Sequence, residues 1–347
     1  MAPTFPSTTA PFVLAGLLAL AAAPSVAQSQ PSPKAQTVAS GLQNPWAVAF
    51  LPDGRFLVTE RPGRLRVVNA DGQVQPAVQG LPEVAAGGQG GLLDVITDSA
   101  FASNRTIYFC FSEPGKGTTN STAHFGCRIV ERPDGTLFLT LGDRFSRRDD
   151  AQTLDNHHGK VVRVGKDGAI PKDNPFVGKA GALPEIWSYG HRNSQGATLA
   201  PDGSLWTHEH GARGGDEINR PHAGKNHGWP LVSFGVNYDG SKIGSGDSAA
   251  PGLEAPLHHW TPSIAPSGMA FLTSDRYGAA WKGNLLVGSL KFQYLDRIEL
   301  KDGQVVAEHK LLEDLGQRIR DVRQGPDGLL YVLTDNANGR LIRLLHN

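Results

Sequence analysis

The sequence predicts an all-β fold, a β-propeller of six blades, from two observations. The composition is rich in turn formers, with 42 Gly and 24 Pro in 347 residues, and long helical periodicity is nearly absent. A strand–turn–strand pattern also recurs along the chain, often around a Pro-Asp-Gly turn. Units of this length that hold several short strands are typical of propeller blades. A pair of β-sandwiches is the alternative, but a signature repeated throughout the chain favours radial repetition.

Six units can be followed through the sequence, starting near positions 46, 91, 127, 195, 268 and 319. The clearest copies are WAVAFLPDGRFLVTERPGRLRVV, ATLAPDGSLWTHEHG and IRDVRQGPDGLLYVLTDNANGRLIRLL. Each reads as a strand, a tight turn of the kind that Asp-Gly favours, and a second strand. Several units carry a charged residue just after the second strand, at Glu60, Glu113, Asp143, Glu209, Lys291 and Asp335. In a propeller, such equivalent positions converge on one pocket near the central channel.

The N-terminus has the features of a targeting segment. Residues 11–27 read PFVLAGLLALAAAPSVA, an apolar run that is short for a membrane span and offers a cleavage site after Ala27. No Lys or Arg precedes this run, so an uncleaved anchor is the alternative. We expect a signal peptide over residues 1–27, a disordered polar lead-in over 28–38 and the propeller domain over 39–347. A periplasmic or secreted protein without stable membrane insertion follows, because the sequence has no second apolar span.

Charge and cysteine content narrow the class of function. The formal net charge is +0 at pH 7 and the pI is about 7.2, so no overall field indicates a nucleic acid partner or an anionic membrane. An exported chain could pair its two cysteines, Cys110 and Cys127. Two small buried residues are the alternative. The sequence has no CxxC pair, which disfavours a zinc site.

Residues 185–230 are dense in side chains that perform chemistry. Arg192 and Asn193 place a cation and an amide side by side, and residues 209–217 combine carboxylates with a glycine-rich backbone. Such a backbone can turn its carbonyls toward a hard cation, and nearby carboxylates suit Ca²⁺. A loop-rich surface with solvated charges is the alternative for any one of these residues. Their concentration in one stretch favours a functional site.

Two further groups of residues are candidates for catalysis and for anion binding. His124 precedes a predicted strand and Asp143 ends the next one, so the two could form an oriented general base. A structural histidine is the alternative. Arg318 and Arg320 alternate along one strand and therefore share a face. With Lys291 from the preceding unit they would bind a polyanion, although a solvated sheet face fits the spacing equally well.

Several long motifs together resemble the soluble, pyrroloquinoline quinone (PQQ)-dependent aldose sugar dehydrogenases of the glucose/sorbosone dehydrogenase family. The motifs are NPWAVAFLPDG, WSYGHRN, EHGARGGDEIN, GKNHGWP, SGMAF and GQRIRDVRQGPDG, and they span nearly the whole mature chain. The resemblance implies a six-bladed propeller that oxidises the anomeric carbon of an aldose to a lactone. Hydride would pass to PQQ, and an external acceptor would then take the electrons. We expect a monomer or a dimer.

The resemblance also implies roles for individual residues. His124 matches the general base that takes the proton of the anomeric hydroxyl, and Asp143 matches its acidic partner. Arg192 matches a cation that stabilises charge developing on the quinone. PQQ carries three carboxylates, so cationic contacts are what its binding requires. The positions that match cofactor contacts are Gln89, Arg192, Asn193, Tyr238, Lys291, Arg318 and Arg320.

Two calcium sites follow from the same resemblance. The backbone carbonyls of Gly211 and Ala212 match the ligands of a catalytic Ca²⁺, which would act as a Lewis acid on PQQ. Glu217 and the backbone carbonyl of His227 match a second, structural Ca²⁺ site. This chain departs from the family at two of these positions. Ala212 replaces a usual Pro, which gives the loop more freedom, and His227 replaces a usual Tyr.

The largest departure is a shortened connection between Glu113 and His124. Only PGKGTTNSTA joins them here, whereas the family has a longer segment, enough for the two outer strands of a blade. Either the second blade is truncated or its strands are supplied otherwise, and an exposed edge results. A catalytically impaired propeller that binds a sugar or a protein is therefore the alternative function. A metal-dependent lactonase is a third reading, which so cationic a pocket disfavours.

Overall fold

The computed structural model describes Met1, Thr4, residues 32–115 and residues 121–346. The chain divides into two units, residues 1–31 and residues 32–347. The predicted signal peptide, apart from Met1 and Thr4, and residues 28–31 of the predicted lead-in lie outside the described residues. Every element below belongs to the second unit. Within the described residues, no helix has the length and apolarity needed to cross a membrane.

The second unit consists of five four-stranded antiparallel sheets and one two-stranded sheet. The first blade contains β2 (Pro45–Phe50), β3 (Phe56–Glu60), β4 (Arg64–Val68) and β5 (Val74–Ala77). The two-stranded sheet contains β6 (Leu92–Thr97) and β7 (Ile107–Phe111). The next blade contains β8 (Gly126–Glu131), β9 (Thr136–Leu141), β10 (Lys160–Gly165) and β11 (Ile186–Tyr189).

Three further blades complete the unit. One contains β12 (Ser194–Leu199), β13 (Leu205–Glu209), β14 (Asp216–Asn219) and β15 (His258–Trp260). The following one contains β16 (Pro266–Phe271), β17 (Leu285–Ser289), β18 (Leu295–Lys301) and β19 (Gln304–Leu311). The closing blade contains β20 (Ile319–Gln324), β21 (Leu330–Thr334), β22 (Gly339–Leu345) and β1 (Lys34–Leu42). The helical elements are α1 (Phe101–Asn104) and two 3₁₀ turns, Arg148–Gln152 and Glu313–Leu315.

The first strands of successive sheets contact one another in a closed ring. In order, β2 contacts β6, β6 contacts β8, β8 contacts β12, β12 contacts β16, β16 contacts β20, and β20 contacts β2. The remaining strands of each sheet follow outward from this ring by antiparallel pairing. Sheets arranged radially around a shared centre are the defining feature of a β-propeller. The all-β propeller prediction is therefore confirmed.

The predicted count of six blades is wrong, because the described residues form five four-stranded blades. The exception is the unit that starts near position 91, which gives only β6 and β7. The chain leaves β7 at Phe111 and enters β8 at Gly126, and this connection is too short for two outer strands. Cys110 on β7 forms a disulfide with Cys127 on β8. That bond links the two-stranded sheet covalently to the neighbouring blade.

The predicted boundary of the propeller at residue 39 also needs correction. Strand β1 begins at Lys34, within the predicted disordered lead-in, and pairs antiparallel with β22 from Lys34 opposite Leu345 to Leu42 opposite Gly339. Residues 34–38 are therefore part of the closing blade. Polar composition suggested disorder, but Val38, Ala39 and Leu42 of β1 pack against an apolar cluster. Pairing of the first and last strands joins the two ends of the ring.

The recurring Pro-Asp-Gly turn has the same structure wherever it is found. In the first blade, the N–H of Gly54 donates to the carbonyl of Leu51 at 3.1 Å, and Gly54 has a φ of 83°. This left-handed conformation is open to Gly at little steric cost. The equivalent glycines with the same conformation are Gly135, Gly203 and Gly328. Each lies between the first and second strands of its blade, as the repeat predicts.

Neighbouring blades pack through apolar side chains. Leu286 on β17, Ile319 on β20 and Val332 on β21 are fully buried in one cluster. Burial of each such side chain contributes about 1.5–3 kcal/mol. This packing holds adjacent blades in place, so residues at the ends of different strands keep defined separations.

Candidate active site

The predicted site residues gather at one end of the ring. His124 precedes β8, Asp143 follows β9, Arg192 precedes β12 and Gly211 follows β13. Because paired strands are antiparallel, the start of a first strand and the end of its partner lie at the same end of the sheet. Residues distant in sequence therefore meet around the ring axis.

His124 and Asp143 form a buried hydrogen-bonded pair. Nδ1 of His124 lies 2.7 Å from Oδ1 of Asp143, and only 4% of His124 is exposed. Asp143 is fixed in turn, because its Oδ2 accepts a bond from Nε1 of Trp229 at 2.8 Å and its Oδ1 accepts one from the N–H of Phe145 at 2.8 Å. With Asp143 as an acceptor, the imidazole carries its proton on Nδ1 and leaves the Nε2 lone pair free.

Burial lowers the pKa of the His124 imidazole below its ordinary value of 6.5. The hydrogen bond to Asp143 opposes this effect, and the positive charge of Arg192 adds to it. His124 is therefore neutral at pH 7. A neutral imidazole held by a carboxylate is the arrangement that a general base requires.

The backbone around this pair is strained. His124, Arg144 and Phe145 have φ values of 52°, 55° and 58°, in the left-handed region that bulky residues avoid. Such conformations persist only where surrounding contacts impose them, and they cluster at functional sites. The strained turn after Asp143 places the Phe145 ring 5.2 Å from the His124 ring, with 51% of Phe145 exposed.

Arg192 is a buried cation beside the glycine-rich loop. Its Nη1 donates to the carbonyl of Gly211 at 2.5 Å and to that of His210 at 3.0 Å. Its guanidinium carbon also lies 5.1 Å from the Trp229 ring centroid. The backbone N–H of Arg192 donates to a Glu209 carboxylate oxygen at 2.8 Å. These contacts bring together the two halves of the stretch that the sequence analysis singled out.

Three buried donors in this region lack a protein acceptor within the described residues. They are Nε of Arg192, Nδ2 of Asn193 and Nε of Arg320. Buried donors without partners are costly, since each has given up its bonds to water. All three belong to residues predicted to contact a polyanionic cofactor.

A cavity of about 460 Å³ opens near these donors. It is lined in part by Gln89, Gln195, His210, Arg318 and Arg320. Gln89 also contacts the His124–Asp143 pair, because its side-chain oxygen accepts the backbone N–H of His124 at 2.8 Å. Gln195, which the sequence analysis did not single out, accepts a bond from Nη1 of Arg320 at 3.3 Å.

The two arginines of the closing blade differ in environment. The Arg320 side chain is 9% exposed and the Arg318 side chain is 46% exposed. Both form ion pairs with Asp335, at 2.8 and 3.1 Å respectively. Burial raises the pKa of Asp335, but the two arginines outweigh this and lower it to about 2. The carboxylate thus offsets part of the positive charge predicted from spacing alone.

Tyr238 and Lys291 lie on a second cavity, of about 610 Å³, which shares His210 with the first. Gly211 and Ala212 line the same cavity. Tyr238 is 62% exposed, and its hydroxyl accepts a bond from Nη2 of Arg192 at 3.3 Å. Lys291 is exposed. These two residues therefore stand at the rim, whereas Arg192 and Asn193 are buried.

The predicted calcium ligands fall in two places. In the loop after β13, the carbonyl of Gly211 already faces Arg192, and its N–H donates to buried Asp216 at 2.8 Å. Among the described residues, no group of three or more His, Cys, Asp or Glu side chains is arranged to hold a metal ion. The loop thus brings carbonyls rather than a carboxylate cage to the cavity.

Glu217 lies in a second cluster of acidic and histidine side chains. It is directly opposite Glu209 on the neighbouring strand, and Nδ2 of Asn219 donates to both carboxylates, at 3.3 and 3.2 Å. Burial and the adjacent Glu209 raise the pKa of Glu217 to about 8. The buried ring of His227 stacks on His191 with centroids 4.5 Å apart. Glu217 is therefore largely protonated at neutral pH, because a second carboxylate charge beside Glu209 is unfavourable.

Several residues that complete the site were not found from the sequence. Trp229 and Phe145 fix or cover the His124–Asp143 pair, and Gln195 bridges to Arg320. Asp335 was noted as a charged strand end, but its pairing with arginines was not predicted. The available indication for Phe145 was its place two residues after Asp143. Trp229 and Gln195 lie within residues 185–230, but nothing indicated their contacts, since their partners are distant in sequence.

The chain is similar in sequence to a family of sugar dehydrogenases. The sequence profile of the family described as Glucose / Sorbosone dehydrogenase matches residues 42–123 and 115–343. The two matched segments meet in the shortened connection between β7 and β8. Aldose sugar dehydrogenase YliI of Escherichia coli is 43% identical over 337 residues, covering 87% of this chain and 90% of that protein.

Solved structures show the same similarity. The apo form of the soluble aldose sugar dehydrogenase from Escherichia coli has a TM-score of 0.87 at 40% identity, covering 90% of this chain and 99% of that one. The PQQ-bound aldose sugar dehydrogenase from Streptomyces coelicolor has a TM-score of 0.74 at 27% identity, covering 91% of this chain and 99% of that one.

Proposed function

Because the chain belongs to the glucose/sorbosone dehydrogenase family, we propose that it is a PQQ- and calcium-dependent enzyme that oxidises the anomeric carbon of aldoses to lactones. The observation that carries this proposal is the buried His124–Asp143 pair next to a cluster of buried donors without acceptors. The pair can act as a base, and the buried donors can bind an anionic ligand. A PQQ-dependent sugar dehydrogenase requires a base and a site for an anionic cofactor in one pocket.

The residues present fit PQQ. Nε of Arg192, Nδ2 of Asn193 and Nε of Arg320 are buried without acceptors, and PQQ offers carboxylate and carbonyl oxygens to such donors. Arg318 and Lys291 stand at the cavities with exposed cationic heads. The residues proposed to hold the cofactor are Gln89, Arg192, Asn193, Tyr238, Lys291, Arg318 and Arg320. When bound, PQQ supplies the acceptor for the hydride that leaves the anomeric carbon.

His124 would take the proton of the anomeric hydroxyl on Nε2. Asp143 holds the opposite nitrogen and stabilises the imidazolium as it forms. Loss of this proton allows the C1–O1 bond to become the lactone carbonyl while the hydrogen on C1 departs with its electron pair. Arg192 places a fixed positive charge where negative charge develops. The exposed rings of Phe145 and Tyr238, with centroids 6.4 Å apart, would border the sugar.

For calcium, two different features support the proposal. The carbonyl of Gly211 already accepts a cationic partner, the Arg192 guanidinium, so the loop with Ala212 can present oxygens to a positive charge. The pKa of Glu217 is raised because a second negative charge beside Glu209 is unfavourable, and a cation bound by Glu217 and the backbone of His227 would favour the ionised carboxylate. When bound, the first Ca²⁺ supplies Lewis acidity and the second supplies stability.

Two further proposals concern the location of the protein and its electron acceptor. An apolar segment at residues 11–27 supports export to the periplasm or secretion. Reoxidation of the cofactor then requires an external electron acceptor.

Reconstitution tests the proposed function directly. The apo-protein is incubated with PQQ and Ca²⁺, and dye reduction is followed over a panel of aldoses. We expect sugar-dependent reduction that requires PQQ, and formation of the lactone in equal amount. Full PQQ binding without reduction by any aldose would support the catalytically impaired alternative instead. Absence of PQQ binding would contradict the cofactor proposal itself.

A further inference from the structure

The base lies beside the least supported part of the ring. His124 is located in the connection that joins the two-stranded sheet to β8, where two outer strands are missing. A general base must nevertheless be held within a fraction of an ångström of its productive position. Individual contacts, rather than the strands of a complete blade, therefore have to position His124.

We infer that Arg144 is a positioning residue that clamps residues 121–125 and thereby holds His124 against Asp143. Arg144 touches neither the proposed sugar nor the cofactor and acts through His124. The inference rests on the proposed function, because it assigns Arg144 a part in the same reaction. It concerns this chain in particular, since Arg144 contacts the end of the shortened connection, at Ser121 and Ala123.

The clamp is formed by four contacts from one residue. Nε of Arg144 donates to the carbonyl of Ala123 at 3.3 Å, and Nη2 donates to the carbonyl of Ser121. The backbone N–H of Arg144 donates to the carbonyl of His124 at 3.2 Å. The guanidinium carbon lies 3.8 Å from the centroid of the Phe125 ring. Arg144 thus contacts the chain on both sides of His124.

The backbone shows that these contacts maintain an unfavourable conformation. His124 and Arg144 both have positive φ values, 52° and 55°, although neither is glycine. Left-handed conformations at such residues relax when supporting contacts are lost. The segment and the turn after Asp143 therefore hold each other in place, with Arg144 as the link between them.

The disulfide and Gln89 hold other parts of the chain around His124, and the N–H of Gln89 donates to the carbonyl of Thr122 at 2.8 Å. The disulfide of Cys127 ties down the start of β8. The Gln89 side chain accepts the N–H of His124. None of these contacts involves the carbonyls of Ser121 and Ala123, which Arg144 binds. Loss of its guanidinium would allow this side of the segment to move and would admit water to the imidazole.

The pH dependence of activity distinguishes a positioning role of Arg144 from a purely structural one. The charged and titratable groups that act on His124 are Asp143 and Arg192, and His210 also lies within electrostatic reach. Burial has the largest effect and lowers the pKa of His124. If the segment loosens, hydration increases and this pKa rises toward its ordinary value. Loss of fold stability alone would leave the pKa of the remaining folded enzyme unchanged.

The test compares Arg144→Ala and Arg144→Lys with Arg132→Ala. Arg132 is a matched control at the opposite end of the β8–β9 hairpin, where it pairs with Asp134 at 2.8 Å and stacks 5.4 Å from the Phe138 ring. We expect Arg144→Ala to lower kcat about 10- to 100-fold while PQQ affinity stays within about twofold. The acid limb of kcat/KM should move to higher pH. Arg144→Lys should restore part of kcat, because Lys donates to carbonyls but lacks the planar stack.

A second measurement separates this inference from the proposed function. In ¹⁵N-labelled folded protein, the Nδ1 proton of His124 is assigned by its absence in His124→Ala and followed by NMR over pH. We expect this resonance to weaken, and the titration midpoint to rise, in Arg144→Ala and not in Arg132→Ala. An unchanged resonance and midpoint in Arg144→Ala would overturn the inference even if no sugar were oxidised. If wild-type protein oxidised no sugar but Arg144→Ala still showed the expected NMR changes, only the proposed function would be overturned.

Discussion

The β12–β15 blade and the two-stranded sheet both border the candidate active site, but they support its residues by different means. In the complete blade, the N–H of Arg192 donates to buried Glu209, and continuous strand pairing fixes the loop that starts at Gly211. Beside the two-stranded sheet, His124 is held by the Gln89 and Arg144 side chains, by a disulfide and by one backbone bond from Arg144. The cofactor side is therefore held by secondary structure, whereas the base side is held by individual contacts.

The difference indicates where the site tolerates change. Strand pairing distributes the support for Arg192 over many backbone hydrogen bonds, so one substitution outside the site should have a small effect there. Support for His124 is concentrated in a few residues, and losing one should have a large effect. Substitutions on the two sides test this difference.

The largest effect is expected for His124→Ala. Removal of a general base costs about 10²–10⁴-fold in turnover, while PQQ binding should persist because the buried donors belong to other residues. Steady-state kinetics and PQQ titration measure the two quantities separately. Near-normal kcat in this variant would remove His124 from the mechanism and with it the distinction between a base side and a cofactor side.

A smaller effect, on binding rather than turnover, is expected for the arginines of the closing blade. Arg320→Ala should weaken PQQ binding roughly 10- to 100-fold, because a buried charge-assisted bond is lost. Arg318→Ala should weaken it less, since Arg318 is exposed and screened by solvent. Fluorescence or calorimetric titration with PQQ compares the two variants. Equal losses of PQQ affinity in the two variants would show that burial does not determine how much each arginine contributes to PQQ binding.

The pH dependence of kcat/KM should report the environment of His124. The imidazole acts as a base only while neutral, so activity falls as pH drops through its pKa. Because burial lowers that pKa, the acid limb should lie below pH 6.5. Asp143→Asn removes the partner that raises the pKa, so its limb should move still lower, opposite to that of Arg144→Ala. An upward shift in Asp143→Asn would contradict this account.

The smallest effect on activity is expected at the second calcium site. Glu217→Gln removes one of two adjacent carboxylates, so the calcium-free protein should become as stable as wild type or more stable. Wild type should gain about 2.7 kcal/mol when free Ca²⁺ is about 100 times Kd, and the variant should gain much less. Thermal melts with and without Ca²⁺ measure this, alongside kcat. A variant that is fully stable but inactive would place Glu217 in the catalytic site.

Prediction from the sequence succeeded where local pattern carries the information. Gly54 and its three equivalents form the same turn because Asp-Gly chemistry dictates it within a few residues. The juxtaposition of His124 and Asp143 followed from their places at adjacent strand ends. Residues 34–38 were misassigned because a polar outer strand resembles a disordered segment until its partner, β22, is known.

The all-β propeller, the place of the shortened sheet and the candidate site residues could be predicted from the sequence alone, because turn residues, alternation and motifs act over short range. Only the folded structure shows that Asp335 offsets part of the charge of Arg318 and Arg320, that Glu209 lies opposite Glu217, and that Arg144 clamps the segment before β8. These interactions depend on which strand ends become neighbours when the ring closes. Their energies arise from burial and charge proximity, and neither exists until distant segments pack together.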